Sequence, residues 1–218
     1  LPAHDTMTLQ QLEQADTELF YWINGHHCTA ADWVLWTLSQ GWAWAVVLVA
    51  VFGLSTLRKE PRNWWIVLAG IGFCFLFSDR LSVMCFKDVF CRLRPCHALE
   101  GVRMFHTHCG GQYGFVSSHA ANAFSVALFL ALRWMKQVVP AKSKREAARW
   151  RRRLVPAALF LWAAAVCYSR PYLGKHYPGD VICGAALGLA VGTVVFFLVQ
   201  LVEVRIIAPQ RRKEISKK

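Results

Sequence analysis

The densest chemistry in this 218-residue chain falls within twelve residues, from Ser169 to Asp180. Ser169, Arg170, His176 and Asp180 lie there, with Pro178 and Gly179 forcing a turn between His176 and Asp180. A turn of that size can bring the carboxylate to one imidazole nitrogen, fix the tautomer and leave the other nitrogen as a lone pair. A histidine held in that way is a competent nucleophile toward phosphorus. Asp180 also falls in the first turn of the next helix, where negative charge is favoured. Taken alone, the segment also reads as a polar turn with a helix-capping Asp.

Two further groups fit the same chemistry. Lys87 and Arg94 are seven residues apart, followed by Pro95. If the preceding helix runs on to Arg94, both cations share a face and suit a phosphate. Pro95 then ends the helix. The plainer reading is snorkelling of both side chains toward headgroups. In the other group, Ser117, Ser118 and His119 open an apolar run. Free N–H groups at a helix start attract an anion. His119 in that first turn could protonate a departing oxygen. A simple Ser cap beside an interfacial His is the alternative there.

The elements that must position these groups are membrane spans. Apolar residues make up 56% of the chain and charged residues 17%. That excludes a disordered or low-complexity chain, and the 8 Cys are too thinly spread for a disulfide scaffold. Uncharged runs at 33–57, 63–78, 118–132, 154–169 and 181–202 read as five spans, the second with its apolar pattern continuing to Phe86. Gly184, Gly188 and Gly192 are four apart in the last, which suits close helix contact. Residues 8–24 read as an amphipathic helix too polar to span, with Leu9, Leu12, Ala15, Leu19, Trp22 and Ile23 on one stripe at the interface. The expected fold is therefore all-α: a polytopic helical bundle at 32–205, an N-terminal interfacial segment at 1–31 and a basic tail at 206–218. Residues 1–6 precede Met7 and are read as foreign to the native chain or left by processing.

The net charge of +12 does not point to nucleic acid, because no Lys or Arg precedes Arg58 and the later ones cluster between apolar runs. Basic clusters at 58–62, 133–153 and after 202 fall on one side, the expected cytoplasmic side. The N-terminus and the connections at 87–117 and 170–180 then face outward, and all three chemical groups share that face. Ionisable residues mid-span, the mark of a carrier or channel, are few: Asp79 and Arg80 come nearest and read as a structural pair or supporting shell.

At these residues the chain resembles the type 2 phosphatidic acid phosphatase family of membrane lipid phosphatases. That family's motifs are K-x6-R-P, P-S-G-H and S-R-x5-H-x3-D. Here they run from Lys87 to Pro95, over Val116 to His119, and from Ser169 to Asp180. The first and third match in full. In the second, Val116 stands for Pro and Ser118 for Gly. The similarity covers roughly residues 60–205, and the family usually has six spans. It implies that His176 attacks phosphorus to form a phosphohistidine, that His119 protonates the leaving oxygen, and that Asp180 orients His176. It implies that Lys87, Arg94 and Arg170, with Ser117, Ser118 and nearby N–H groups, hold the phosphoryl oxygens. No metal or other cofactor is implied, since the cations supply the electrostatics.

The expected enzyme is a phosphatase in a bacterial cytoplasmic membrane, with its site facing the periplasm and its C-terminus in the cytoplasm. Its expected substrate is a phospholipid or glycolipid phosphate. Lipid A and undecaprenyl diphosphate lead, the first because residues 110–122 are similar to those of small bacterial members. Phosphatidylglycerol phosphate and phosphatidic acid follow. Lipid-to-lipid phosphotransfer would use the same intermediate, and an anion carrier or channel is the reading from another class. His97, His106 and His108 match no strong zinc spacing. Cys96 and Cys109 could pair if their side is oxidising. Oligomeric state is not legible.

Overall fold

Glycine at every fourth position of the most apolar run lets two helices meet backbone to backbone, and the bundle is built around that contact. The computed structural model describes residues 8–45, 49, 53, 64–106, 108–137 and 145–207. The helices that matter here are α1 (Leu9–Gly25), α2 (Thr29–Leu38), α3 (Trp64–Ser82), α4 (Ser118–Gln137), α5 (Arg145–Tyr172) and α6 (Pro178–Val202). No strand occurs among the described residues beyond an isolated Leu93–Tyr113 bridge. The chain folds as an all-α helical bundle.

Helix α4 is the axis. It packs against α3, α5 and, most extensively, α6. Ala120, Ala121, Ala123, Ser125, Val126 and Phe129 are all fully buried. A Cβ on Gly184, Gly188 or Gly192 would stand 2.5, 2.3 or 2.6 Å from the carbonyl oxygens of Ser117, Ala121 and Ser125. Lipid tails are as apolar as Leu, so small-residue packing rather than apolar burial holds such helices together. Opposite, the Phe129 ring fills the space above Gly70 on α3. Far from the site, Arg133 of α4 pairs with Glu203 at 2.6 Å.

Among the described residues, three helical stretches are long and apolar enough to cross a membrane: Trp65–Phe90, Arg153–Tyr172 and Pro178–Arg205. These correspond to the second, fourth and fifth expected runs. The 118–132 run becomes α4, which the other helices enclose, so its small residues meet protein. The expected 33–57 run is not one helix. Helix α2 stops at Leu38, and a new helical stretch covers 41–45. The Ser39 hydroxyl and the Gln40 amide both donate to the Trp36 carbonyl, at 2.7 and 3.2 Å. Such local bonds compete with helix continuation. Most of 46–57 lies outside the described residues, as do residues 1–7, the 58–62 cluster and the 208–218 tail.

Helix α1 lies across one end of the bundle, against α5 and α6. A Thr8–Gln11 capping box starts it. Phe20, Ile23 and Asn24 face the bundle, while Leu9, Leu12, Leu19 and Trp22 of the expected interfacial stripe are exposed. The polar Asn24 turns inward because three backbone groups need it. It donates to the Arg103 and Tyr172 carbonyls and accepts from the Arg103 N–H, each at 2.9 Å. Arg103 then grips Asp32 of α2 with both terminal nitrogens, at 3.0 and 2.6 Å. The connection from α3 to α4 is thereby fastened over the same end.

Candidate active site

Four helix ends meet under α1. The last turns of α3 are π-helical at Val83–Lys87, and the helix ends at Phe90 because Cys91 adopts a left-handed conformation, φ 48°. Arg94 is extended, and Pro95 opens a short helix instead of ending one. Lys87 and Arg94 therefore do not share a helix face, contrary to the expectation from spacing. They converge another way. Residues 92–94 pair with 112–114 through Arg94 N–H to Gln112 O (3.1 Å) and Gly114 N–H to Arg92 O (2.8 Å). A Cys96–Cys109 disulfide, Cα to Cα 5.8 Å, ties the same two segments. The Arg94 Nε donates to the Tyr113 carbonyl at 3.2 Å, aiming the guanidinium toward His176.

His176 sits between α5 and α6 and is 1% exposed. Its Nε2 is 3.3 Å from Arg94 Nη1 and its Nδ1 is 3.4 Å from Asp180 Oδ2. A guanidinium can only donate, so the Nε2 contact is satisfied when that nitrogen carries the lone pair. The ring proton then resides on Nδ1, facing Asp180. The Nδ1 contact is long and makes no aligned hydrogen bond. Asp180 is itself held firmly: Oδ2 accepts from the Tyr177 N–H at 3.1 Å and Oδ1 from Arg92 at 2.9 Å. Burial first, then the charges of Arg94, Arg170 and Lys87, holds His176 well below the usual imidazole range. These surroundings favour the neutral ring.

Arg170, at the end of α5, is 2% exposed, and its Nε has no partner. Lys175, which sequence reasoning passed over, stands beside it. Burial and the charges of Arg170 and Arg94 push Lys175 down to about 8. Lys87 Nζ donates to the Ser118 hydroxyl at 2.6 Å, and Ser118 also meets Ser82 at 2.6 Å. Ser117 faces structure: its N–H donates to the Asp180 carbonyl at 3.0 Å and its hydroxyl accepts from the Ala120 N–H at 3.5 Å. Lys87, Arg94, Arg170 and Lys175 thus stand near one another; Asp180 acts on Lys87 and Arg94, and Asp79 and Asp88 also act on Lys87. Buried cations without counter-charge are costly. A pocket with this excess of positive charge suits an anion.

His119 lies in the first turn of α4, edge-on to Trp44 at 6.1 Å. The charges of Arg170, His176, Lys175 and Arg94 all act on it. It borders a cavity of about 310 Å³ lined by Ser39, Gly41, Trp44, Ala45, Phe75 and Asn122. Asp79 and Arg80 are exposed. Among the described residues, Cys96, His97 and Cys109 form the one group with metal-ligand proximity, and its two sulfurs are bonded to each other.

Residues 63–203 match the PAP2 superfamily. The chain belongs to that superfamily. Its PAP2 relatives include a lipid A 4'-phosphatase of Porphyromonas gingivalis, 27% identical over 191 residues, covering 86% of this chain and 74% of the relative. The phosphatidylglycerophosphatase B of Escherichia coli is 26% identical over 195 residues, covering 78% and 76%. The solved transmembrane PAP2 type phosphatidylglycerolphosphate phosphatase of Bacillus subtilis shares the fold, with a TM-score of 0.63 at 21% identity over 92% of this chain and 89% of that one. Aquifex aeolicus LpxE superposes with a TM-score of 0.56 at 23% identity over 82% and 93%. This PAP2 protein is a membrane-spanning hydrolase of phosphate esters, and the relatives named here are bacterial lipid phosphatases.

Proposed function

We propose that the chain dephosphorylates an envelope lipid at the outer leaflet of the cytoplasmic membrane, through a phosphohistidine at His176. The observation that carries this reading is the Nε2 of His176, 3.3 Å from the Arg94 guanidinium, inside a cluster that Lys87, Arg170 and Lys175 complete. The substrate phosphate enters among these cations and takes the Arg94 guanidinium away from Nε2, freeing its lone pair. Lys87, Arg94 and Arg170 bind its oxygens, with Ser118 adding a hydroxyl. The Nε2 lone pair attacks phosphorus in line, and the bond to the leaving oxygen breaks as His119, protonated once the bound phosphate offsets the cations around it, gives that oxygen its proton. Charge on the three equatorial oxygens is stabilised by the fixed cations, the largest electrostatic contribution to such a step. Water then attacks phosphorus while neutral His119 takes its proton. The N–P bond breaks, and inorganic phosphate departs. Asp180 keeps the Nδ1 proton in place and balances the positive ring of the intermediate.

Lipid A is the leading substrate and undecaprenyl diphosphate the second. The relatives named as lipid A 4'-phosphatases support the first. So does the cavity beside His119, where Ser39 and Asn122 offer polar groups next to Trp44 and Phe75. A sugar carrying both hydroxyls and acyl chains suits that mixture. The distribution of basic residues supports a periplasmic site and a cytoplasmic C-terminus.

The test is phosphate release by purified protein from lipid A, undecaprenyl diphosphate, phosphatidylglycerol phosphate and phosphatidic acid, beside His176→Ala. The variant retains fold and loses turnover. A rapidly quenched reaction carries alkali-stable, acid-labile phosphate on the wild-type protein alone. Undiminished release by His176→Ala refutes the mechanism, and preference for phosphatidic acid refutes the substrate.

A further inference from the structure

The carboxylate that faces the candidate nucleophile is governed from the N-terminal helix. Arg92 lies between two acids. Its Nη1 donates to Asp180 Oδ1 at 2.9 Å, and its Nη2 donates to Asp16 Oδ2 of α1 at 2.8 Å. The guanidinium carbon sits over the Tyr177 ring, 4.0 Å from the centroid. Asp16 makes a second contact with the same neighbourhood: Oδ1 accepts from the Gly179 N–H at 2.7 Å. That amide belongs to the first turn of α6, whose third residue is Asp180. A Cβ on residue 179 would stand 2.9 Å from Asp16 Oδ2, so the acid approaches closely because Gly is there. Phe20, one turn further along α1, packs on Tyr177 at 5.7 Å between ring centroids.

We infer that Asp16 and Arg92 are positioning residues for the phosphohistidine chemistry, forming a chain Asp16–Arg92–Asp180–His176 that makes α1 a working part of the site. This rests on the mechanism proposed above. Arg92 occupies Oδ1, so Oδ2 is the oxygen left to His176. Its charge also stands directly against the buried Asp180 carboxylate. Asp16 supplies the counter-charge that stops Arg92 from drawing Asp180 wholly to itself, and it fixes Gly179 relative to Arg92. A purely structural ion pair would join α1 to the bundle just as well, but it would not touch the acid that faces His176.

The two residues carry opposite charge, so their removal moves His176 in opposite directions. His176 must be neutral to attack, so kcat/KM rises with pH as the ring loses its proton. Arg94, Arg170, Lys87 and Asp180 face His176 directly, and His119 of α4 and Lys175 interact with the same cluster. All of these stay unchanged in the variants. Arg92→Gln removes a cation and shifts the acidic limb to higher pH. Asp16→Asn removes an anion and shifts it to lower pH. Each shift is on the order of half a unit, less than a direct contact produces. In both variants kcat falls more than KM rises, by on the order of 10²-fold for Arg92→Gln.

The experiment is the pH profile of kcat and kcat/KM for wild type, Asp16→Asn, Arg92→Gln and Arg92→Lys. It runs beside nitrogen-15 spectra of histidine-labelled protein in nanodiscs, with His176 assigned by its loss in His176→Ala. Opposed shifts of the His176 titration support the chain. Arg92→Lys keeps the charge but cannot bridge both acids, so it holds the titration near wild type and still lowers kcat. It serves if Arg92→Gln does not fold. Titrations of Asp16→Asn and the Arg92 variants that coincide with wild type, or shift together, overturn the inference. The spectra do not depend on turnover. A protein that hydrolyses no lipid phosphate yet shows the opposed shifts would refute the function and leave the chain standing.

Discussion

Gly188→Ala tests whether the α4–α6 contact sets the geometry of the site. The new Cβ would lie 2.3 Å from the Ala121 carbonyl oxygen and 3.0 Å from its carbonyl carbon and Cα. Ordinary contact begins near 3.4 Å, so the backbones must part by about 1 Å. No rotamer relieves this, because every atom struck is backbone of the opposing helix. Overpacking of this kind costs about 1–3 kcal/mol. The larger effect falls on chemistry. Helix α6 begins two residues after His176, and α4 begins at Ser118, so parting these helices pulls the two halves of the site apart. A misplacement of about 1 Å can cost on the order of 10²-fold in rate. The assay is phosphate release together with a thermal melt in detergent. Gly72→Ala on α3 is the control, since its Cβ meets nothing within 4 Å. That change replaces a helical Gly by Ala and leaves turnover intact. A Gly188→Ala protein with wild-type melting and turnover would refute the claim that backbone contact positions the site.

The pH profile follows from His176. Its lowered proton affinity keeps the ring neutral in the free enzyme through the usual imidazole range, so the acidic limb of kcat/KM falls below pH 6.5; a limb above that value contradicts the burial argument. Reduction of Cys96–Cys109 loosens the loop that carries Arg94, so KM rises several-fold while His119 and Asp180 are untouched; unchanged KM with both thiols shown free by mass would count against the tether. Asn24→Ala strands the Arg103 N–H and the Arg103 and Tyr172 carbonyls, which lowers stability by about 1–3 kcal/mol; an unaltered denaturation midpoint would show that water replaces the amide.

Local segments carried their own meaning in the sequence. His176 and Asp180 lie four residues apart across the start of α6, which Pro178 opens where a turn was expected, so their approach is still a local property of the sequence. The apolar runs that became α3, α5 and α6 are equally plain, because a bilayer demands uninterrupted apolar length. The Gly184, Gly188 and Gly192 stripe foretold a close helix contact. What failed was extrapolation through short breaks. The left-handed Cys91 ends α3 before Arg94, and side-chain bonds at Ser39 and Gln40 stop α2. Neither leaves a strong mark in composition.

The sequence by itself determined that this chain is a membrane-spanning helical bundle and which segments bear its His, Arg, Lys and Asp. Hydropathy and motif spacing are properties of contiguous residues and need no partner. Tertiary structure decided which atoms face which. Only folding brings Lys87 to Ser118, sets Arg94 against the lone pair of His176, adds Lys175 to the cations, and docks Asp16 on Arg92 across 76 residues of sequence. An isolated Asp or Arg among polar neighbours looks like ordinary surface in one dimension. Its role comes from desolvation and from the charges that distant helices place beside it.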